Sequence, residues 1–210
     1  MAVITKIEVQ KRNNERVNIY LDGEYAFSIS MELVYKEGLK SKMEIDIDRL
    51  RDIADKEGYL KCKSTALKII EKSYKTEKEM RDKLKQKEYT DNQVEKTIEF
   101  LREYNFINDE SYVNAYVNDK ISSRGRQKIK YDLIRKGIDS NLIDEKLSNI
   151  DSDDEKNTAF NLAKKKYNTI KKSESDSYKL SGKLYRFLMS KGYNYEIIKD
   201  VVRKVMNDNE

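Results

Sequence analysis

Apolar positions recur in the same places three times along this chain. Residues 80–98 (MRDKLKQKEYTDNQVEKTI), 129–147 (IKYDLIRKGIDSNLIDEKL) and 184–202 (LYRFLMSKGYNYEIIKDVV) align without gaps, 49 and 55 residues apart. Met80, Ile129 and Leu184 coincide, as do Leu84, Leu133 and Leu188. So do Tyr89, Ile138 and Tyr193, then Val94, Ile143 and Ile198, then Ile98, Leu147 and Val202. Four-residue steps within each copy are the signature of amphipathic helices, and a repeat of this length marks an array of like modules.

Each module is expected to hold three helices, the copied phrase supplying the last two. The expected helices cover 60–74, 76–88 and 90–104, then 109–122, 126–136 and 139–149, then 152–167, 178–191 and 194–206. Thr76 with Glu79, Thr90 with Gln93 and Ser152 with Glu155 have the spacing of a capping box, in which two side chains satisfy backbone N–H groups reciprocally. Asn108, Asp109 and Glu110 read as a further helix start, with acids at the positive end of the dipole. Gly137 and Gly192 supply the left-handed residue that ends a helix, whereas Glu88 holds that place in the first copy, where a looser turn or another cap is expected.

The first 30 residues follow a period of two. Three alternating runs, within 1–10, 16–22 and 25–30, are separated by Asn13-Asn14 and Asp22-Gly23, which reads as a three-stranded antiparallel meander. Leu33, Val34, Leu39, Ile45, Ile47 and Ile53 are expected to cover its apolar face from two short helices, ending at Gly38 and Gly58. The predicted fold is mainly α: three tandem three-helix repeats in an elongated curved array, preceded by a small N-terminal β-meander with short helices. The segments are 1–58, then repeats at 59–107, 108–150 and 151–210. Stacked modules would share their apolar flanks and offer an extended surface.

Composition narrows the chemistry. The chain has no histidine, which removes the Ser-His-Asp and Cys-His nucleophile systems and HExxH zinc sites. Cys62 stands alone, so neither a disulfide framework nor a CxxC metal site is available, and it reads as a small residue on a half-buried helix. No phosphate-cradling glycine motif is present. No apolar run is long enough to span a bilayer, and the alternating first ten residues do not read as a signal peptide, so a cytoplasmic protein without enzymatic activity, metal or cofactor is expected.

Charge is uneven. The whole chain carries +5, yet Lys120, Arg124, Arg126, Lys128, Lys130, Arg135 and Lys136 stand against Asp132 alone. Two readings stay open: a solvated helix face, or a patch recognising phosphates or carboxylates. Arg124-Gly125-Arg126 favours the second, because glycine lets the backbone approach a partner while the guanidiniums fork onto anions. Tyr104, Phe106, Tyr112 and Tyr116 are expected in the core rather than as base-stacking platforms.

Several of these features occur together at fixed spacings in residues 73–89, 94–121 and 124–144: Glu79 five residues before Leu84, the Leu101 connector to Phe106-Ile107-Asn108-Asp109, and Arg124-Gly125 leading to Ile129 and Leu133-Ile134 before Lys136-Gly137-Ile138. This combination resembles the RecX family, bacterial regulators of the RecA recombinase. The resemblance implies a protein lying along the groove of the RecA–single-stranded-DNA filament, where it blocks filament growth or promotes disassembly and so lowers ATP hydrolysis and strand exchange; a monomer is expected. The candidate contacts to filament or DNA are Arg124, Arg126, Lys128, Lys130, Arg135 and Lys136. A second function remains open from the residues themselves: direct DNA binding through helix pairs such as 126–136 and 139–149, imitating a helix-turn-helix.

Overall fold

Alternation in the first segment produces a four-stranded antiparallel sheet in the order β3-β2-β1-β4, from β1 (Ala2–Gln10), β2 (Asn13–Leu21), β3 (Glu24–Ser30) and β4 (Glu44–Ile45). The computed structural model describes residues 2–11 and 13–207. Val17 faces Val9 and Ile29, and Ile19 faces Ile7 and Phe27, so the central strand carries the inward face. Asp22 (φ 50°) and Gly23 (φ 94°) form the two-residue turn that suits the sheet's twist. The other reversal differs from expectation: Asn13 already pairs with Gln10, so Asn13-Asn14 belongs to the strand rather than to the turn.

Helix α1 (Met31–Lys36) stops as expected, with Gly38 left-handed at φ 63° and the Leu39 N–H closing onto Val34 O at 2.9 Å. Leu33, Val34, Leu39 and Leu50 are buried with Ile4, Val17, Ile19 and Ile29, and Ile45, Ile47 and Ile53 pack against them. Ile45 does so from a strand, paired to Ala2, rather than from a helix.

Gly58 corrects a larger expectation. The chain does not break there: α2 is one helix, Ile47–Lys72, capped by Asp46 and joining the meander's cover to the first repeat. A glycine inside a helix costs about 1 kcal/mol relative to alanine. A Cβ on Gly58 would lie inside 3.0 Å of the Gln93 side-chain amide on α4 (Asp91–Glu103), so a larger residue would displace the group that closes that helix's capping box. Cys62 is fully buried on the same helix, where burial raises its thiol pKa and a Thr97 contact partly offsets the rise.

Two compact units make up the protein, one holding residues up to 73 with 81–104 and the other holding 74–80 with residues from 105 onward. The division falls within α3 (Glu77–Lys85). In the second unit, α5 (Asp109–Lys120), α6 (Arg126–Arg135) and α7 (Ser140–Ser148) form the second repeat, and α8 (Ser152–Ile170), α9 (Ser177–Lys191) and α10 (Tyr195–Asn207) the third. Ile129, Leu133, Ile138, Ile143 and Leu147 join Val113 and Val117 in one core, whereas Leu184, Leu188, Tyr193, Ile198 and Val202 join Ala159 and Ala163 in another. These clusters are separate, so the two repeats do not share apolar flanks as the sequence suggests.

Thr76 with Glu79 and Thr90 with Gln93 form reciprocal capping boxes. Ser152 with Glu155 does not. Asp151 takes the cap, accepting from the Asp153 and Asp154 N–H groups, and this frees Glu155 for another partner. Asn108 caps α5 through the Ser111 N–H. Tyr112 and Tyr116 pack against the second core, but Tyr104 and Phe106 are exposed rather than buried.

Glu88 adopts the same left-handed turn (φ 64°) as Gly137 (83°) and Gly192 (85°), so the first copy is not looser. A side-chain-bearing residue in this region is strained by roughly 1–2 kcal/mol, less the entropy glycine costs. Glu88→Gly is therefore expected to stabilise the first unit by about 1 kcal/mol and raise its melting temperature by about 2–4 °C, read by circular dichroism.

Candidate functional site

The basic cluster occupies α6 and its two ends, and these ends take part in a junction built twice in the second unit. At the first junction the start of α3 meets the end of α6. Thr76 Oγ1 donates to Lys136 O at 2.7 Å, the Glu77 N–H donates to Asp109 Oδ1 at 3.0 Å, and Glu79 holds Lys136 Nζ at 2.7 Å. At the second the start of α6 meets the end of α9. The Gly125 N–H donates to Lys191 O at 2.9 Å, the Gln127 N–H to Gly192 O at 3.2 Å, and the Arg126 N–H to Glu155 Oε1 at 3.0 Å.

Both junctions solve the same problem. The first backbone donor of a helix has no partner within it. Here a carboxylate near the start of the following repeat supplies the acceptor: Asp109 for α3 and Glu155 for α6. The second junction is the tighter. A Cβ on Gly125 would fall inside 3.0 Å of the Gly192 carbonyl, and one on Gly192 inside 3.0 Å of the Lys128 backbone. Gly125 thus serves close backbone approach within the chain, and it is buried.

The six candidate cations divide by what holds them. Arg124 pairs with Asp132 and donates to the Tyr116 hydroxyl at 3.3 Å. Tyr116 donates in turn to Asp132 at 3.2 Å, and burial together with that carboxylate pushes its phenol pKa up. Arg126 Nη2 donates to Ile150 O at 2.8 Å, and its Nε lies 2.8 Å from Glu155 Oε2, an ion pair. Lys130 pairs with Asp144 at 2.7 Å and Lys136 with Glu79. These four tie helices together. Lys128 lies 3.7 Å from Asp132 and 5.3 Å from the centre of the Tyr131 ring, and exposed Arg135 approaches the same ring at 5.8 Å. The structure therefore brings Lys128 and Arg135 together around Tyr131, which is 54% exposed.

Sequence reasoning missed Glu155, Tyr131 and Lys191. Glu155 is 5% exposed, an acid whose only sequence signal was its place in an apparent capping box. Beside it lies Tyr193, 2% exposed, whose hydroxyl has no hydrogen-bond partner among the described residues. Burial, reinforced by Glu155, pushes that phenol up to about 12.

Glu79 and Lys136 move in opposite directions. Burial acts to raise the Glu79 carboxyl, but Lys136 and the Thr76 N–H outweigh it and hold it below its ordinary 4.5. Burial likewise acts to lower Lys136, and Glu79 outweighs it, leaving the ammonium above its ordinary 10.5.

Among the described residues no group of three or more His, Cys, Asp or Glu is placed to hold a metal ion, and no helix is long and apolar enough to cross a membrane. What the fold presents is a set of helix ends and one charged outer face, the arrangement of a tandem three-helix repeat protein. Four family models cover most of the chain: the regulatory protein RecX N-terminal domain matches residues 2–46, and the first, second and third three-helix domains of RecX match 62–101, 108–147 and 153–202. The chain belongs to the RecX family of regulatory proteins. It is 60% identical over 206 residues to the regulatory protein RecX of Clostridium beijerinckii, covering 98% of this chain and 97% of that one. The Clostridioides difficile protein of the same name is 41% identical, covering 100% and 99%. A crystal structure of regulatory protein RecX is similar, with a TM-score of 0.64, 30% identity and coverage of 95% of this chain and 100% of that one. RecX from Lactobacillus salivarius gives 0.63 at 26% identity, over 71% and 97%.

Two outcomes follow for the junctions. Glu155→Ala leaves Arg126 beside a cavity without its counter-charge and should destabilise the second unit by about 3 kcal/mol. Asp144→Ala, at the exposed pair with Lys130, should change it by less than about 1 kcal/mol; paired thermal denaturation curves check both. For Glu79 the depressed carboxyl contributes stability above its unfolded pKa and loses it as pH falls through the folded value. Glu79→Gln should thus melt lower than the parent at pH 7, with the difference closing as the medium is acidified below about pH 4.

Proposed function

We propose that this protein regulates the RecA recombinase by binding the RecA–single-stranded-DNA filament and inhibiting its growth, ATP hydrolysis and strand exchange. The observation that carries this reading is family membership across essentially the whole chain, including all three helical repeats and the N-terminal sheet. The architecture supports it. A polymeric partner repeats its own surface, and a tandem array can engage several subunits, each contact raising the effective concentration for the next. A regulator of this kind needs no catalytic group, and it acts in the cytoplasm, where RecA works, as a monomer.

Of the six candidate cations, Arg124, Arg126, Lys130 and Lys136 are engaged within the chain, so the proposed contacts narrow to Lys128 and Arg135. Arg135 is the informative position to change, because it is exposed and has no carboxylate partner among the described residues. Sub-stoichiometric protein should depress the DNA-dependent ATPase of RecA. Arg135→Glu should require about tenfold more protein for the same inhibition, with an unchanged melting temperature. An ATPase that the parent protein leaves untouched would overturn the function; full inhibition by Arg135→Glu would overturn the contact assignment alone.

A further inference from the structure

The second and third helices of a repeat are clasped together at one pair of register positions. In the first repeat these hold Arg81 and Glu95, and in the second Lys130 and Asp144, each a cation on the second helix paired with a carboxylate on the third. Register puts Tyr185 and Lys199 at these positions of the third repeat, since 81, 130 and 185 stand 49 and 55 apart, as do 95, 144 and 199. The clasp is missing there, and the charge on the third helix has changed sign. One turn further along, where the first two repeats have Glu99 and Ser148, the third has Arg203.

The groove between the two helices opens accordingly. In the second repeat, bordered by Lys130, Asp144 and Leu147, it holds about 240 Å³, whereas between α9 and α10 it holds about 580 Å³. Tyr178 and Tyr185 line the larger groove from α9, and Lys199, Val202, Arg203 and Met206 line it from α10. Buried Val202 and half-buried Met206 give it an aliphatic base, while Tyr178 on its rim is 90% exposed. Lys199 has no carboxylate partner among the described residues. Arg203 has Asp200 at 3.2 Å on its own helix, an exposed pair that an incoming carboxylate can readily displace.

The lining indicates the occupant. A nucleic-acid strand stacks its bases on open ring faces, but the Tyr185 ring already packs edge-to-face with Tyr195, 6.0 Å between centres, and the base of the groove is aliphatic. The lining rows 178–185 and 199–206 each run about two helical turns, roughly 10 Å. That is the reach over which a docked helix sets apolar anchors from successive turns into a groove. Lys199 and Arg203 lie four residues apart on one wall, the spacing at which carboxylates on successive turns of a second helix can face them. We propose that the groove between α9 and α10 docks an acidic amphipathic helix of a partner protein, with its apolar stripe on Val202 and Met206 and its carboxylates on Lys199 and Arg203. This contact goes beyond the regulation of RecA and does not depend on it.

The other repeats supply the test. Tyr185→Lys combined with Lys199→Glu installs in the third repeat the clasp that the first two carry, so this variant should fold as the parent does, read by circular dichroism. Binding is read by fluorescence anisotropy with the full-length protein and no RecA. The probe is a labelled synthetic helix of about four turns, with leucines along one stripe and glutamates beside it. A counterpart with glutamine in place of glutamate should bind about tenfold more weakly, and the double variant should bind the glutamate helix about tenfold more weakly. Arg203→Glu, at an exposed position, should also weaken binding about tenfold with an unchanged melting temperature, and decides the matter should the double variant fail to fold. The site is overturned by a parent protein that does not bind the glutamate helix, by a glutamine counterpart that binds equally well, or by folded variants that bind as the parent does. It is also overturned if oligothymidylate displaces the helix at equal charge concentration, which would give the groove to nucleic acid. A parent dimer that Arg203→Glu dissociates, read by sedimentation, would overturn it in favour of a second copy of the chain. None of these outcomes bears on inhibition of RecA, which is measured separately.

Discussion

The second unit depends on one constraint: a helix begins with backbone donors that nothing inside the helix can satisfy. In an isolated module these N–H groups would turn to water or to a local cap. Here the opening donor of α6 goes to Glu155 of the next repeat, and that of α3 to Asp109. A buried donor left unmade costs roughly 1–3 kcal/mol, so each repeat is incomplete without its successor. The second and third repeats are joined by hydrogen bonds to helix ends, while their apolar cores remain separate.

This arrangement accounts for where glycine is needed and where it is not. Gly192 must be left-handed and must also lack a side chain, because the Lys128 backbone rests against it. Glu88 makes the same turn in the first copy, but its side chain is exposed and meets no such demand. The far end is finished differently. By register the counterpart of Gly125 is Leu180, yet α9 starts at Ser177 and caps itself through Asp176. One extra turn gives α9 a cap of its own, through the Lys179 N–H on Asp176.

Much of this was legible in the residues, and the failures have a common cause. The five coincident apolar positions located the cores, Thr76 and Thr90 marked real helix starts, and Gly38, Gly137 and Gly192 marked real stops. Each depends on neighbours within a few residues. Gly58 was misread because its function is set by Gln93, and Ser152–Glu155 because its carboxylate belongs to Arg126. Gly125, flanked by arginines, suggested approach of a partner, and the approaching backbone is the chain's own, at Gly192. The seven cations on and around α6 looked alike in sequence. Nothing local distinguishes Lys130, committed to Asp144, from Arg135, which is not.

That distinction decides which charges can do work outside the molecule. Withdrawing Arg126 from Glu155 would strand a carboxylate that is only 6% exposed, at a cost of several kcal/mol, so this guanidinium is fixed in one role. A cation resting over an exposed ring is held far less tightly, by about 0.5–1 kcal/mol, and can turn to an external anion while its side chain stays half-ordered. The positive charge of the second and third repeats is therefore of two kinds. The buried kind fixes how the helix ends meet. The kind gathered at exposed Tyr131 stays available, and the rigidity supplied by the first keeps the second in place, so that a partner need not order it on binding.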